Sequence, residues 1–540
     1  MTLVENDVEN PRQRIVVDSV EFGQVFRFHR VLNAVTQAMQ PPRLIVALFT
    51  VLALIAVGKM WDGLELNWKE PTISRQGLFV APGLYSDADK NDALRPIAER
   101  YFESVKHAHD LNASDDDIPL PANLNPRKVY EGVTAGYRFE RRDAAEDEFP
   151  QLAERDREHQ RQLAIIKSWM PMGPFEATVD QAARSLMRVI DGVLALRPYE
   201  VFGALTDLFV RMPVALWRID PWYIVVYGFL SLLIMAVGGG ALCRMSACQF
   251  AGRERLRARD ALQFSLGSWV KLVLAPLLPL ALCGVLAVIL VAMGIVFFKI
   301  PLLDVVGGVL YGVNLLIGFM IAFILLTLGF SFILLLPAVA SENCGPADAL
   351  QRAIAYLLGR PLHLLGYVIV GLFGLTIGYL VVVLVAAATL NITGAATGAL
   401  TSHSALSLTG DVWINDLEPA FGDFHEEWHD RWAAGMIQFW QGLVILLIAA
   451  YVLSYVFSGS TIIYLLMRKA VDDQDPSEIW RPGLVPGTLA PVPAMAESAN
   501  GGGVEPEEPG AGSGPPVRHL RKGSETLGDA DKNEEPPEES

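Results

Sequence analysis

The chain has 540 residues, 52% of them hydrophobic and 19% charged, with a mean hydropathy of +0.34. Apolar content this high, gathered in long blocks, excludes an ordinary water-soluble globular protein. The net charge of −16 lies outside those blocks, chiefly in 62–220 and after Val471, which argues against a nucleic-acid partner.

The first element in chain order is a cytoplasmic leader, 1–43. Within it 20–39 mixes Val25, Phe26, Phe28, Val31 and Leu32 with Arg27, Arg30 and Gln37, a pattern that predicts an amphipathic helix lying at the membrane surface. Pro41 and Pro42 end it. The first span follows at 44–61. It begins too far from the N-terminus to be a cleaved signal peptide and reads as an uncleaved anchor.

Residues 62–221 are long enough for an extracytoplasmic domain, and helical patterning in 91–109, 151–169 and 178–196 predicts a mainly helical one. Its last third, with Leu186, Val189, Ile190, Val193, Phe202 and Phe209, has enough apolar surface to form a core or to rest on the outer leaflet.

A membrane core occupies 222–467. A hydrocarbon layer of about 30 Å needs roughly 20 apolar helical residues, and five further runs qualify: 222–243, 272–298, 313–338, 364–390 and 442–467. Pro276 and Pro279 predict a bend early in the third span. The long run 301–340 is read as one crossing with a bent or interfacial entry at Gly307, Gly308 and Gly312, because two crossings would export Arg352 and Arg360. Gly374 with Gly378, and Gly308 with Gly312, have the spacing that lets helices approach closely. The tail, 468–540, turns to Pro, Glu, Gly and Ser and predicts disorder. Arg518, Arg521 and Lys522 interrupt its acid.

Orientation follows from Lys and Arg in the short flanks. Arg27, Arg30 and Arg43 precede the first span, Arg244 to Lys271 separate the second and third, Arg352 and Arg360 separate the fourth and fifth, and Arg468 with Lys469 follow the sixth. All four clusters fall on one face, so both termini are expected in the cytoplasm. The fold class expected is therefore all-α: a polytopic bundle of about six transmembrane helices, an extracytoplasmic helical domain and a disordered C-terminal tail.

Two tetrapeptides, Asp260-Ala261-Leu262-Gln263 and Asp348-Ala349-Leu350-Gln351, occupy equivalent loops and point to a duplicated helical hairpin. The segment Pro337-Ala338-Val339-Ala340-Ser341-Glu342, with Asp348 to Arg352, Tyr356, Arg360-Pro361 and the later Arg468-Lys469-Ala470-Val471-Asp472, resembles a group of uncharacterised bacterial multipass membrane proteins. It is loosely similar to the membrane domain attached to some glycerophosphodiester phosphodiesterases. That resemblance covers the membrane core alone. It implies a helical domain in a bacterial cytoplasmic (inner) membrane and carries over no catalytic residue.

Four cysteines, Cys243, Cys248, Cys283 and Cys344, lie in apolar runs or cytoplasmic loops, so no disulfide framework is expected. The sharpest chemical motif is His425-Glu426-Glu427-Trp428-His429. On a helix His425 and His429 share a face suited to zinc, with Glu426 placed as general base. Glu427 is charged where that motif usually has an apolar residue, and no His, Asp or Glu lies between Asp430 and Asp472. A hydrated turn at the bilayer edge, anchored by Trp428, Trp432 and Trp440, accounts for the same residues. His107 and His109 stand two apart and face different sides of a helix, and His363 reads as an interface residue. No Asp, Glu, Lys or Arg falls in the middle of a span, which lowers the case for ion-coupled transport.

The expectation is a non-enzymatic scaffold, assembly factor or binding platform, without cofactor, whose partners are the lipid bilayer and membrane or envelope proteins. A transporter or lipid-handling protein built from the duplicated hairpin is the alternative, followed by a membrane-bound zinc peptidase.

Overall fold

The computed structural model describes residues 27–66, 73–74, 78, 87–109, 120–142, 149–252, 255–299, 303–398 and 428–488. After a 3-10 turn, Arg27–Leu32, the helices are α1 (Asn33–Ala38) and α2 (Pro41–Leu66). Next come α3 (Asp87–Arg100), α4 (Phe102–Ala108), α5 (Pro126–Arg142) and α6 (Phe149–Trp169). A hairpin follows, α7 (Pro174–Leu194) and α8 (Pro198–Thr206), with a π-turn, Asp207–Arg211, leading into α9 (Met212–Ile219). The rest is α10 (Pro221–Phe250), α11 (Ala258–Gly267), α12 (Trp269–Phe298), α13 (Leu303–Glu342), α14 (Pro346–Gly359), α15 (Pro361–Gly398) and α16 (Trp428–Asp472). Seven of these helices open on proline, which fixes φ at a helical value where the missing N–H has no intrahelical partner to lose.

Among the described residues six helices, α2, α10, α12, α13, α15 and α16, are long and apolar enough to cross a membrane, and each contains one span read from the sequence. The run 301–340 yields one helix of 40 residues, α13. α12 continues through both Pro276 and Pro279. Large apolar side chains on α12 and α13, such as Val288 at 69% and Val309 at 81% exposure, face outward, as lipid-facing surfaces do.

α16 packs against α2, α10, α13 and α15. At its seam with α15, Gly374 and Gly378 are each faced by a tyrosine hydroxyl, of Tyr455 and Tyr451, and Tyr455 Oη donates to Gly371 O at 2.7 Å. These two glycines fulfil the expected close approach. Gly308 and Gly312 face open space.

The segment 62–221 divides. α3 to α6 close around their own core, including Leu94, Val105, Val133, Tyr137, Leu163 and Ile166, each burial contributing roughly 1.5–3 kcal/mol in water. The antiparallel pair β1 (Ile73–Ser74) and β2 (Pro171–Met172) brings its chain ends together. α7 instead packs on α15 and α2.

Two further expectations change. The leader's described part, Arg27–Ala38, puts Val31, Ala34 and Ala38, all fully buried, against α15 and α16, so its apolar face meets helices instead of lipid. In the tail, 468–472 completes α16. Residues 473–488 return to the bundle: Trp480 N donates to Ser341 O at 2.9 Å and Gly487 N to Glu342 O at 3.1 Å. Buried Ile479 anchors a stretch whose composition is otherwise that of a disordered chain.

Candidate functional site

The hairpin of α7, α8 and α9 carries the most unusual placement of charge. On α7, Glu176, Asp180, Arg184 and Arg188 recur at four-residue intervals and so line one helix face. Its opposite face, including Gln181, Ser185, Val189, Ile190 and Val193, is buried. At the tip Leu196 adopts the left-handed conformation, φ 54°, and Arg197 N bonds back to Gly192 O at 2.7 Å, the closure that ends many helices. The π-turn then widens the returning helix at Asp207 and Arg211, a local device common at functional positions.

Asp207 is buried and takes both neighbouring guanidiniums: Arg188 Nη2 lies 2.5 Å from Oδ2 and Arg211 Nη1 lies 2.9 Å from Oδ1. Two cations on one carboxylate leave the triad with a net positive charge. Their side chains are 47% and 67% exposed. Nearer the start of α7, Arg184 pairs with Asp180 at 2.8 Å, and near the tip Arg197 pairs with Glu200 at 3.1 Å.

Contacts fix the depth of the hairpin along the bundle. At one end the Asp62 carboxylate of α2 accepts Phe175 N at 3.0 Å and Glu176 N at 3.1 Å, capping α7 with a side chain from a spanning helix. Thr178 and Tyr223 join hydroxyls at 2.9 Å. Midway, Tyr379 Oη donates to Met187 Sδ at 3.6 Å. At the other end Val189 and Val193 cluster with Leu372. Adjacent Gly371 O accepts Tyr455 Oη, and adjacent Ser454 Oγ donates to Ala38 O at 3.1 Å, just before α2 begins. α7 therefore runs from the end of α2 back to the level of its start. Its 21 residues make about 31 Å of helix, close to the thickness of a hydrocarbon core.

A second charged group closes the bundle at the end where α2 begins. Glu342, fully buried, takes Arg468 Nη1 at 3.3 Å, Tyr464 Oη at 2.6 Å and an ion pair from Arg352. Arg468 also donates to Asp475 O at 3.0 Å and Glu478 O at 2.5 Å. Arg43 is buried on Gln37, Ser458, Met245 O and Gln249 at 2.8–3.2 Å. Arg244 reaches Ala340 O at 3.0 Å and Trp480 O at 2.8 Å and stacks on Phe264 and Trp480. Lys271 holds Asn343 O at 3.0 Å. The carbonyls of Ala340 and Asn343 belong to the last turn and cap of α13, where cations satisfy groups without intrahelical partners. Burial and then Glu342 push the Cys344 thiol up to about 12, so it is inert. Burial and the bond to Asp472 raise the Tyr356 hydroxyl.

Of the residues singled out in the sequence, His425 and Glu426 lie outside the described residues, and His429 falls in the first turn of α16. His107 is exposed at the end of α4, and His109 Nδ1 lies 2.9 Å from Val105 O. His363 is half-buried at the start of α15. The four cysteines are buried and free. Among the described residues no three or more His, Cys, Asp or Glu side chains gather as a metal site. The hairpin charges escaped notice because they keep 174–219 below the hydropathy of a span. The four-residue charge spacing against a continuous apolar face was the available signal. Comparison with protein-family models, with curated proteins and with solved structures returned no match.

Proposed function

We propose that the protein is a non-enzymatic platform of a bacterial cytoplasmic membrane. Both termini lie in the cytoplasm, and the helical unit α3 to α6 is held at the outer surface for membrane or envelope protein partners. The observation that carries this reading is the pair of hydrogen bonds that the Asp62 carboxylate accepts from Phe175 N and Glu176 N. It fastens the segment leaving the helical unit to the end of the first span. The filled glycine seam and the buried ion group at the other end support a bundle that holds its shape. Retention of arginine-rich flanks on the cytoplasmic side supports the orientation.

Single cysteines introduced at Arg161 and at Arg257, both exposed, test the arrangement with a membrane-impermeant maleimide on intact cells. Labelling is expected at 161 before lysis and at 257 only after it. The reverse pattern removes the platform. In-cell photo-crosslinking from position 161 is then expected to give discrete adducts with envelope proteins, and their absence counts against the partner role.

A further inference from the structure

The hairpin occupies the same thickness as α2, from the Asp62 cap at one end to the Leu372 level at the other. If α2 crosses the bilayer, α7 and its return do too, although their charges exclude them from the six apolar spans. The exposed faces of the hairpin are of two kinds. One bears the ionic stripe from Asp180 through Arg184 and Arg188 to Arg211. The other presents Phe202 at 66%, Phe209 at 62% and Trp217 at 52% exposure. Phe209 lies 6.5 Å from Phe332 of α13, so this apolar surface continues the lipid-facing surface of the bundle.

Arginine at bilayer depth draws water and lipid phosphate inward and thins the membrane locally. The cationic triad around Asp207 is placed to receive a phosphate, and the acid at Asp180 to receive a headgroup amine. Acyl chains then lie along Phe202, Phe209 and Phe332. A partner helix needs a patch, whereas the ion pairs Asp180–Arg184, Arg188–Asp207–Arg211 and Arg197–Glu200 are spaced along most of the hairpin, from the first third of α7 to the tip.

We infer that the hairpin is a path along which phospholipid headgroups cross the bilayer, so that the protein exchanges lipids between leaflets without a coupling ion or nucleotide. The lipid class is glycerophospholipid, recognised by its phosphate. No bond is made or broken.

The purified full chain is reconstituted into vesicles of phosphatidylethanolamine and phosphatidylglycerol with a trace of nitrobenzoxadiazole-labelled lipid, and dithionite is added outside. Bleaching is expected to pass the outer-leaflet half that protein-free vesicles reach. Replacing the triad by apolar residues of similar size, Arg188→Met with Asp207→Leu and Arg211→Met, keeps an insertable hairpin and is expected to slow exchange at least tenfold. Labels on a cysteine at position 202 or 209 are expected to be quenched by nitroxides deep in the acyl chains; the natural cysteines are buried. Wild-type bleaching that stops at half, a triad variant as fast as wild type, or a label quenched only from water each overturns the inference. A deeply quenched label with bleaching at half assigns the stripe to another protein, and the lipid path falls.

Discussion

Arg188 and Arg211 approach the two oxygens of one buried carboxylate, Asp207, from opposite strokes of the hairpin. The carboxylate is therefore the joint that holds α7 to its return. Asp207→Asn removes the charge and leaves two half-exposed guanidiniums facing each other. A loss of about 2 kcal/mol is expected, below the cost of breaking a fully buried pair because water reaches both arginines. Unfolding of the protein in nanodiscs measures it, and Asp207→Asn combined with Arg188→Met is expected to recover part of the loss.

Asp62 caps a helix to which it is not covalently adjacent. Asp62→Ala frees Phe175 N and Glu176 N, and a cap of this kind is worth about 1 kcal/mol. Hydrogen exchange at those two amides is expected to quicken several-fold while exchange in α16 is unchanged. Equal protection in both proteins would show that the cap does not hold the junction.

His159 gives the helical unit a pH dependence. It stacks on Tyr137 at 4.0 Å and meets Tyr101 edge-on at 6.3 Å. Burial, and then the charge of Arg100, lowers its pKa from 6.5 to about 4. Between those values the unfolded chain binds the proton and the folded chain does not. Stability is therefore full above the ordinary histidine value, falls as pH drops towards the folded value and levels out below it, with a span on the order of 3 kcal/mol. His159→Phe is expected to flatten that slope in the pH dependence of proteolysis between 87 and 169.

At Glu342 both arginines lose their carboxylate in Glu342→Gln, and Arg468 is fully buried. The expected loss is about 3–5 kcal/mol. Tyr464→Phe removes one bond to the same carboxylate and is expected to cost about 1.5–3 kcal/mol. Thermal unfolding in detergent ranks the two, and a milder Glu342 variant would contradict the assignment of Glu342 as the centre of the group.

The six apolar helices were legible because a spanning run must satisfy both length and composition, and little else in a chain does. α5 escaped because its buried Val129, Val133 and Tyr137 stand among Arg, Lys and Glu, which lowers any apolar signal. Arg43 and Arg468 explain themselves as flanking cations, yet they are 1% and 0% exposed, a burial set by acceptors on distant elements. The apolar middles of the six spans spoke against charge within the membrane, while α7 carries charge at the same depth on a helix too polar to be counted.

The partnership around Glu342 also sets an order of events during synthesis. Arg352 leaves the ribosome ten residues after the carboxylate, whereas Arg468 is 126 residues away, roughly 6 to 25 s later at ordinary elongation rates. The nearby arginine is the early counterion while α13 is inserted, and the distant one becomes the latch that shuts when the last helix arrives. A chain truncated before 468 would keep a bundle with its acid half-answered, a state that membrane quality-control proteases can recognise as unfinished.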